Sequence, residues 1–319
     1  EIDFETVIPE LLSLAKVENE EGTWKDIYAR SDSDPVSLTP LINVCFHFLH
    51  NEDGVISRAS FNGLKALVMT ARSHIPHDNK NTKSWVKLVE SVLVPLSRSG
   101  LQCRDIKVRR YYILLIRELA RNFCDISSAN LCGDLASLCN DENHDLDFFH
   151  GITHVQIHRR ARAFQRLRKI LSQNDSDESE TKITSQSLSN ILLPIAFHPV
   201  YECKMKSEEA FVLDSIATLG AIARQLPWNK YNNMLWLVLT QFDRYPGQER
   251  YSVGALCAII DGFNFELTKK SSASSIPSTE KTSVWHSLEN RIIPKIEGLL
   301  SKETVDKNGI RGKTLRPAI

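Results

Sequence analysis

Apolar residues recur along this chain with the period of an α-helix. Phe61, Leu64, Val68 and Ala71 fall at i, i+3, i+7 and i+10. Val108, Tyr112, Leu115 and Leu119 repeat the spacing, as do Val212, Ile216, Leu219, Ala223 and Leu226. Trp285, Leu288, Ile292, Ile296 and Leu299 do so again near the end. Such spacing puts each set on one face of a helix. Convincing apolar–polar alternation between hairpin turns does not occur. The pattern predicts an all-α chain with no significant β-structure.

The predicted helices come in pairs with short polar breaks. First helices carry an aliphatic residue before proline: Ile8-Pro9, Val94-Pro95, Leu193-Pro194 and Ile293-Pro294. Proline inside a helix removes a backbone bond and bends the axis. Second helices open on an acidic residue followed by a β-branched and a basic one, as in Asp53…Val55…Arg58 and Asp105…Val108-Arg109. Asp306…Ile310-Arg311 fits the start of another. The acidic residue can cap its helix, and the arginine can reach a neighbouring aspartate. Together these features are HEAT-like. They predict an α-solenoid of the HEAT/armadillo kind, a superhelix of antiparallel helix pairs repeating every roughly 40–47 residues. A generic helical bundle is the alternative, and the recurring prolines favour the solenoid.

Two segments interrupt the pattern. Ser172–Lys182 has no apolar residue and a run of Asp and Glu. Lys269–Lys281 is rich in Ser and Thr. Both read as loops, and Asp78–Lys83 as a shorter polar connection. The organisation is therefore HEAT-like repeats over 1–171 ending in a basic helix, an acidic loop over 172–183, and further repeats over 184–319 with a Ser-rich insertion near 269–281. We read it as one continuous solenoid. Glu1-Ile2-Asp3-Phe4 leads straight into helical pattern, so both ends read as cuts in a longer chain.

Composition narrows the possible partners. The 39 basic and 39 acidic residues give a formal net charge of zero, so nucleic-acid contact requires a local patch. Seven cysteines occur without a CxxC pair and read as reduced thiols of a cytosolic or nuclear protein. No apolar run approaches the roughly 18–20 residues of a membrane span, and no signal peptide is present.

One segment stands apart, DFFHGITHVQIHRRARAFQRLRKIL over Asp147–Leu171. It reads as an amphipathic helix with Ile157, Ala161, Phe164, Leu167 and Leu171 buried. His158, Arg159, Arg162, Arg166 and Lys169 fall on the opposite, basic face, the candidate surface for RNA or an acidic protein partner. A solvated helix face is the simpler reading, and the acidic loop could neutralise it. Arg160 and Arg168 lie beside the stripe, where they can pair with a neighbouring helix. No aromatic interleaves with the arginines on the exposed face, so neither a base-stacking platform nor sequence-specific reading is implied. His150, His154 and His158 share i, i+4 spacing but lack the glutamate and cysteines of a metal shell. Gly151 and Thr153 place His150 before the helix start. Gly312-Lys313-Thr314 resembles the end of a phosphate loop but lacks the required upstream glycine and strand. Trp228, beside Pro227, is the tryptophan best placed for exposure among Trp24, Trp85, Trp228, Trp236 and Trp285. No catalytic, cofactor-binding or metal-ligating residue is assigned, and the chain does not read as an enzyme.

The same segment resembles the hallmark of the family called down-regulated in metastasis, the very large HEAT-repeat component of the small-subunit processome. Matching residues are Phe148, Phe149, Ile152, His154, Gln156, His158, Arg159, Arg160, Arg162, Ala163, Arg166 and Leu167. Leu192-Leu193-Pro194 after the acidic loop fits as well, and Gly312…Leu315-Arg316 resembles the start of the next family repeat. The resemblance implies a nucleolar, non-catalytic scaffold supporting early cleavage of precursor ribosomal RNA. Its implied partners are processome proteins and pre-rRNA or a small nucleolar ribonucleoprotein, with no cofactor, small-molecule substrate or membrane. A HEAT-type transport carrier or phosphatase adaptor explains the repeats equally but leaves the arginine helix without a role.

Overall fold

The computed structural model describes residues 35–74, 80–126, 131–173, 182–202, 206–245, 249–265, 284–301, 303–305 and 311–313. Ile8-Pro9, Trp24, most of the acidic run, the Ser-rich segment, Asp306, Ile310, Leu315 and Arg316 lie outside these residues. The fold is all-α and built of paired helices, as the periodicity indicates. Packing divides the chain into two units: Glu1–Arg159 with Ser179–Ile191, and Arg160–Glu178 with Leu192–Ile319.

In the first unit, α1 (Thr39–Phe48) pairs with α2 (Gly54–His74). α3 (Lys80–Leu88) and α4 (Val94–Ser99) form one first-type helix, and α4 packs on α5 (Ile106–Asn122). The predicted connection Asp78–Lys83 is shorter than expected, because α3 already begins at Lys80. α2 and α5 pack side by side and parallel, with Phe61 against Tyr111 at 5.2 Å and Arg72 bonded to Asp125 at 2.6 Å. Both begin on an aspartate cap. Asp53 Oδ1 accepts the Val55 N–H and Asp105 Oδ1 the Lys107 N–H, each at 2.8 Å. These side chains satisfy amide groups that a helix start leaves without partners. Short α6 (Phe148–Ile152) and the first residues of α7 (Ile157–Gln173) follow.

The second unit contains most of α7, then α9 (Leu193–Glu202), α10 (Glu209–Gln225), α11 (Trp228–Arg244) and α12 (Glu249–Asp261). The single turn α8 (Ser185–Ser187), which comes before α9 in the chain, belongs to the first unit. The helices α13 (284–287) and α14 (Ile293–Ser301) come last. α10 packs on α9 and α12, and α12 also on α11. A three-residue antiparallel pair, β1 (Glu303–Val305) with β2 (Arg311–Lys313), is the only β-structure among the described residues. It puts Arg311 and Gly312 in a strand, not at a helix start. It also supplies a strand upstream of Gly312-Lys313, but as the antiparallel partner of those residues, which is not phosphate-loop geometry.

The recurring prolines have a structural signature. A five-residue π-helical segment precedes each described one: Val89–Leu93 before Val94-Pro95, Leu188–Leu192 before Leu193-Pro194, and Leu288–Ile292 before Ile293-Pro294. Proline lacks the N–H that would bond four residues back, and its ring collides with that carbonyl. Widening the turn to i→i−5 relieves both problems. Accordingly, the Val94 N–H donates to Val89 O and the Ile293 N–H to Leu288 O.

Tryptophans serve packing. Trp85 is buried and stacked on His74. Trp228, the tryptophan best placed for exposure, is half-buried against Tyr231 and Phe265, and Phe263 completes the cluster. The Tyr231 hydroxyl donates to Ile259 O at 3.0 Å and ties this cluster to α12. The six described cysteines are free thiols, and no described helix is long and apolar enough to cross a membrane.

Helices α10 and α12 approach each other closely. A Cβ on Gly220 would lie 2.7 Å from Ala258 O, and one on Gly262 would lie 2.8 Å from Gly220 O. The two backbones touch where a side chain would hold them apart. Gly220→Ala should therefore destabilise the second unit by about 1–3 kcal/mol, as overpacking does. A thermal melt that matched the parent would contradict this packing.

Candidate interaction surface

The hallmark segment is anchored by a carboxylate with no exposure to water. Asp147 is 0% exposed and caps α6, its Oδ1 accepting the His150 N–H at 2.9 Å. Its Oδ2 accepts the Asn140 N–H at 3.0 Å and Arg117 Nε at 2.7 Å. Arg117 projects from the buried side of α5, between Ile113 and Ala120. Its remaining nitrogens reach Asp141 at 2.8 Å and Glu118 at 3.1 Å, and Arg121 also bonds Asp141 at 2.7 Å. Burial is the largest single influence and opposes the charge on Arg117, but Asp147, Asp141 and Glu118 together outweigh it and hold the guanidinium above its ordinary pKa. Burial also raises Asp141, but hydrogen bonds from Arg117 and the nearby Arg121 bring it below the usual carboxylate range. Cys139, beside this network, is pushed up to about 12 by burial, with Asp147 adding to the effect. The segment is thus fastened to α5 by a fully bonded charge cluster, the condition under which buried charge is tolerated.

Phe148, Phe149 and Ile152 bury beside this anchor. The basic helix α7 begins after Gly151 and Thr153, as the sequence indicates, but the residues before it are helical too: His150 lies inside α6, which a break over Thr153–Gln156 separates from α7. Thr153 Oγ1 donates to Phe149 O at 2.8 Å, satisfying a carbonyl at the end of α6. His154 Nδ1 accepts the Gln156 N–H at 3.0 Å, a local bond that replaces a helical one. That bond also assigns the neutral ring's proton to Nε2. Desolvation, then Arg159, lowers the His154 pKa. The His150 ring meets His144 in a tilted contact, with ring centroids 4.5 Å apart, and burial is the first cause lowering its pKa. Among the described residues no group of three His, Cys, Asp or Glu side chains is arranged to hold a metal.

Along α7 the cations divide into two sets. The buried stripe is Ala163, Phe164, Leu167 and Leu171, so Ala163 replaces the expected Ile157 and Ala161, which are half-exposed. Arg168 and Arg160 flank this stripe and point to α10. Arg168 bonds the Asp214 carboxylate and its backbone oxygen, each at 2.7 Å. Arg160 lies 5.0 Å over the Phe211 ring and 3.9 Å from Glu208. Gln165 donates to Asp214 at 3.0 Å, and Gln225 Nε2 donates to Leu171 O.

The outward set is the one the sequence marked. His158, Arg162 and Lys169 are exposed, and Arg166 is half-exposed. Arg159 is the exception, since Asp145 holds it at 2.5 Å. Among the described residues Arg162, Arg166 and Lys169 enter no ion pair. The structure therefore brings four of the five marked residues to one face and diverts the fifth.

Sequence reasoning missed the Arg117 cluster. The clue was available, because position 117 falls on the apolar face of its helix. A cation there needs a buried partner. A cavity of about 340 Å³ lies nearby, lined by Lys65, Met69, Arg72, Glu118, Arg121, Asn122 and Cys124. Arg72 and Arg121 are already held by Asp125 and Asp141.

No family model matches the chain. It is similar to U3 small nucleolar RNA-associated protein 20 of Saccharomyces cerevisiae, 24% identical over 217 residues, which cover 67% of this chain and 8% of that protein. It is similar to the protein of the same name from Schizosaccharomyces pombe, 24% identical over 204 residues, 64% of this chain and 8% of that one. The matched part of the chain thus spans about 8% of the length of these curated relatives.

Removing Arg117 tests the anchor. Arg117→Met leaves Asp147 buried without its countercharge and should cost about 3–5 kcal/mol in chemical denaturation. Adding Asp147→Asn should recover part of that loss. A single variant as stable as the parent would contradict the arrangement.

Proposed function

We propose that this chain is part of a non-catalytic scaffold of the small-subunit processome, in the family called down-regulated in metastasis. The similarity of about two thirds of the chain to two proteins named U3 small nucleolar RNA-associated protein 20 carries the reading. The hallmark run adds to it, because its residues have separable tasks. Asp147, Phe148 and Phe149 anchor the segment, Arg160 and Arg168 dock α7 on α10, and Arg162, Arg166 and Lys169 face outward.

On this reading the chain works in the nucleolus, holding processome proteins and pre-rRNA or a small nucleolar ribonucleoprotein in place while other factors cut. Early pre-rRNA cleavage depends on that placement, and the outward cations of α7 meet an anionic partner within the particle. Such contacts are electrostatic and weaken with salt.

Depletion with rescue tests the proposal. Removing the full-length protein should leave small-subunit precursor RNA uncut, and the parent chain should restore cleavage and co-sedimentation with early pre-ribosomes. A chain carrying Arg162→Glu, Arg166→Glu and Lys169→Glu should fold within about 0.5 kcal/mol of the parent, as exposed sites allow. It should leave the particles at lower salt. Normal processing after depletion would overturn the scaffold reading, and an unchanged salt profile would remove the cations from it.

A further inference from the structure

Helix α10 lacks a polar face. Its core side is Val212, Ser215, Leu219 and Ile222, and its flank toward α12 is Ile216, Gly220 and Ala223. The flank toward α7 carries Phe211, Asp214, Thr218 and Gln225, which meet Phe164, Arg168 and Leu171. The side left to solvent is Ala210, Leu213, Ala217 and Ala221, spaced at i, i+3, i+7 and i+11, with Arg224 closing its far end. Leu213 is 51% exposed. A surface helix ordinarily presents charged and polar residues there. This one is apolar around most of its circumference, the composition of a covered helix.

The flanks of the strip differ. On the α7 side stand Arg162 and Lys169, without ion pairs among the described residues. The groove floor between α7 and α10 is already neutral, since Asp214 is bonded to Arg168 and Gln165. On the α12 side Arg250 is paired with Glu209 at 3.0 Å, and Cys257 is exposed. An apolar strip therefore runs beside two cations that enter no ion pair among the described residues.

From this arrangement we propose that the outer strip of α10, bordered by Arg162 and Lys169 of α7, docks an amphipathic helix from a protein partner. That helix lays small or aliphatic residues on Ala210, Leu213, Ala217 and Ala221. It turns Asp or Glu side chains at one flank toward the cations, the helix-in-groove mode of recognition. Charge complementarity fixes its orientation, and the apolar strip supplies its binding energy. RNA fits less well: it gains little from Leu213 and Ala217, and no aromatic ring on this face offers a base platform. The inference rests on the scaffold reading and names one class of partner for it.

Photo-crosslinking in the full-length protein tests the surface. A photoreactive benzoylphenylalanine replaces Ala217, or Asn233 on α11 as an exposed control. Cells are irradiated, and the adducts on the purified protein are identified by mass spectrometry. The expected adduct at Ala217 is a peptide with apolar residues at i, i+3 and i+7 and an acidic flank. Leu213→Lys, or Arg162→Glu with Lys169→Glu, should cut its yield about tenfold, as loss of a central contact does. Circular dichroism should show that these exposed changes leave the fold intact. Nucleotide adducts at Ala217, or a peptide yield no greater than at Asn233, would overturn the proposal. Co-sedimentation with pre-ribosomes is read in the same lysates. Retained co-sedimentation without the peptide adduct overturns the docking surface alone, whereas its loss in the parent chain overturns the scaffold reading itself.

Discussion

A carboxylate with no access to water has to be neutralised where it lies, and in this chain Asp147 meets that demand through Arg117. Three donors converge on one side chain: two backbone amides and a guanidinium. Through that convergence the start of α6 is fixed on α5. The break that follows at Thr153–Gln156 then begins α7 from a defined point. Breaking such a pair leaves an uncompensated buried charge, which is why so much local structure hangs on it.

The rest of the hallmark follows from how α7 meets its neighbour. An arginine-dense helix packs only if the cations beside the buried stripe find acceptors. Asp214, Glu208 and the Phe211 ring provide these from α10. The apolar stripe of Phe164, Leu167 and Leu171 then closes without stranding charge. Cations on the opposite side need no such provision, because water solvates them. One stretch of similar residues thus performs two tasks, separated only by angle around a helix axis.

Much of this was legible in the sequence. Helical period marked the elements, and the capping aspartates at 53 and 105 fell where expected. Aliphatic-proline pairs marked the first-type helices, and each described pair coincides with a π segment. Periodicity could not show that the turn widens, since it fixes which residues are apolar and not how the backbone accommodates proline. Arg160 and Arg168 were legible as docking residues because they border the stripe. Arg117 was read past, although its position among Ile113, Ile116 and Ala120 required a partner, because that partner lies 30 residues away. Gly151 and Thr153 marked a helix start beyond His150, but the separate short helix α6 was not legible, because it is set by the Asp147 cap and closed by side-chain bonds from Thr153 and His154. What encloses Trp228 was not legible, because Phe263 and Phe265 come from a distant loop.

The central claim is that arginines of one helix divide into those that hold the fold and those that face solvent. Comparing the stability of Arg168→Ala with that of Arg166→Ala tests it most directly. The first variant strips Asp214 of its charge-assisted bonds and should lose about 1.5–3 kcal/mol in urea denaturation. The second removes a solvated cation and should stay within about 0.5 kcal/mol of the parent. Equal losses in the two variants, or a larger loss at Arg166, would contradict the division.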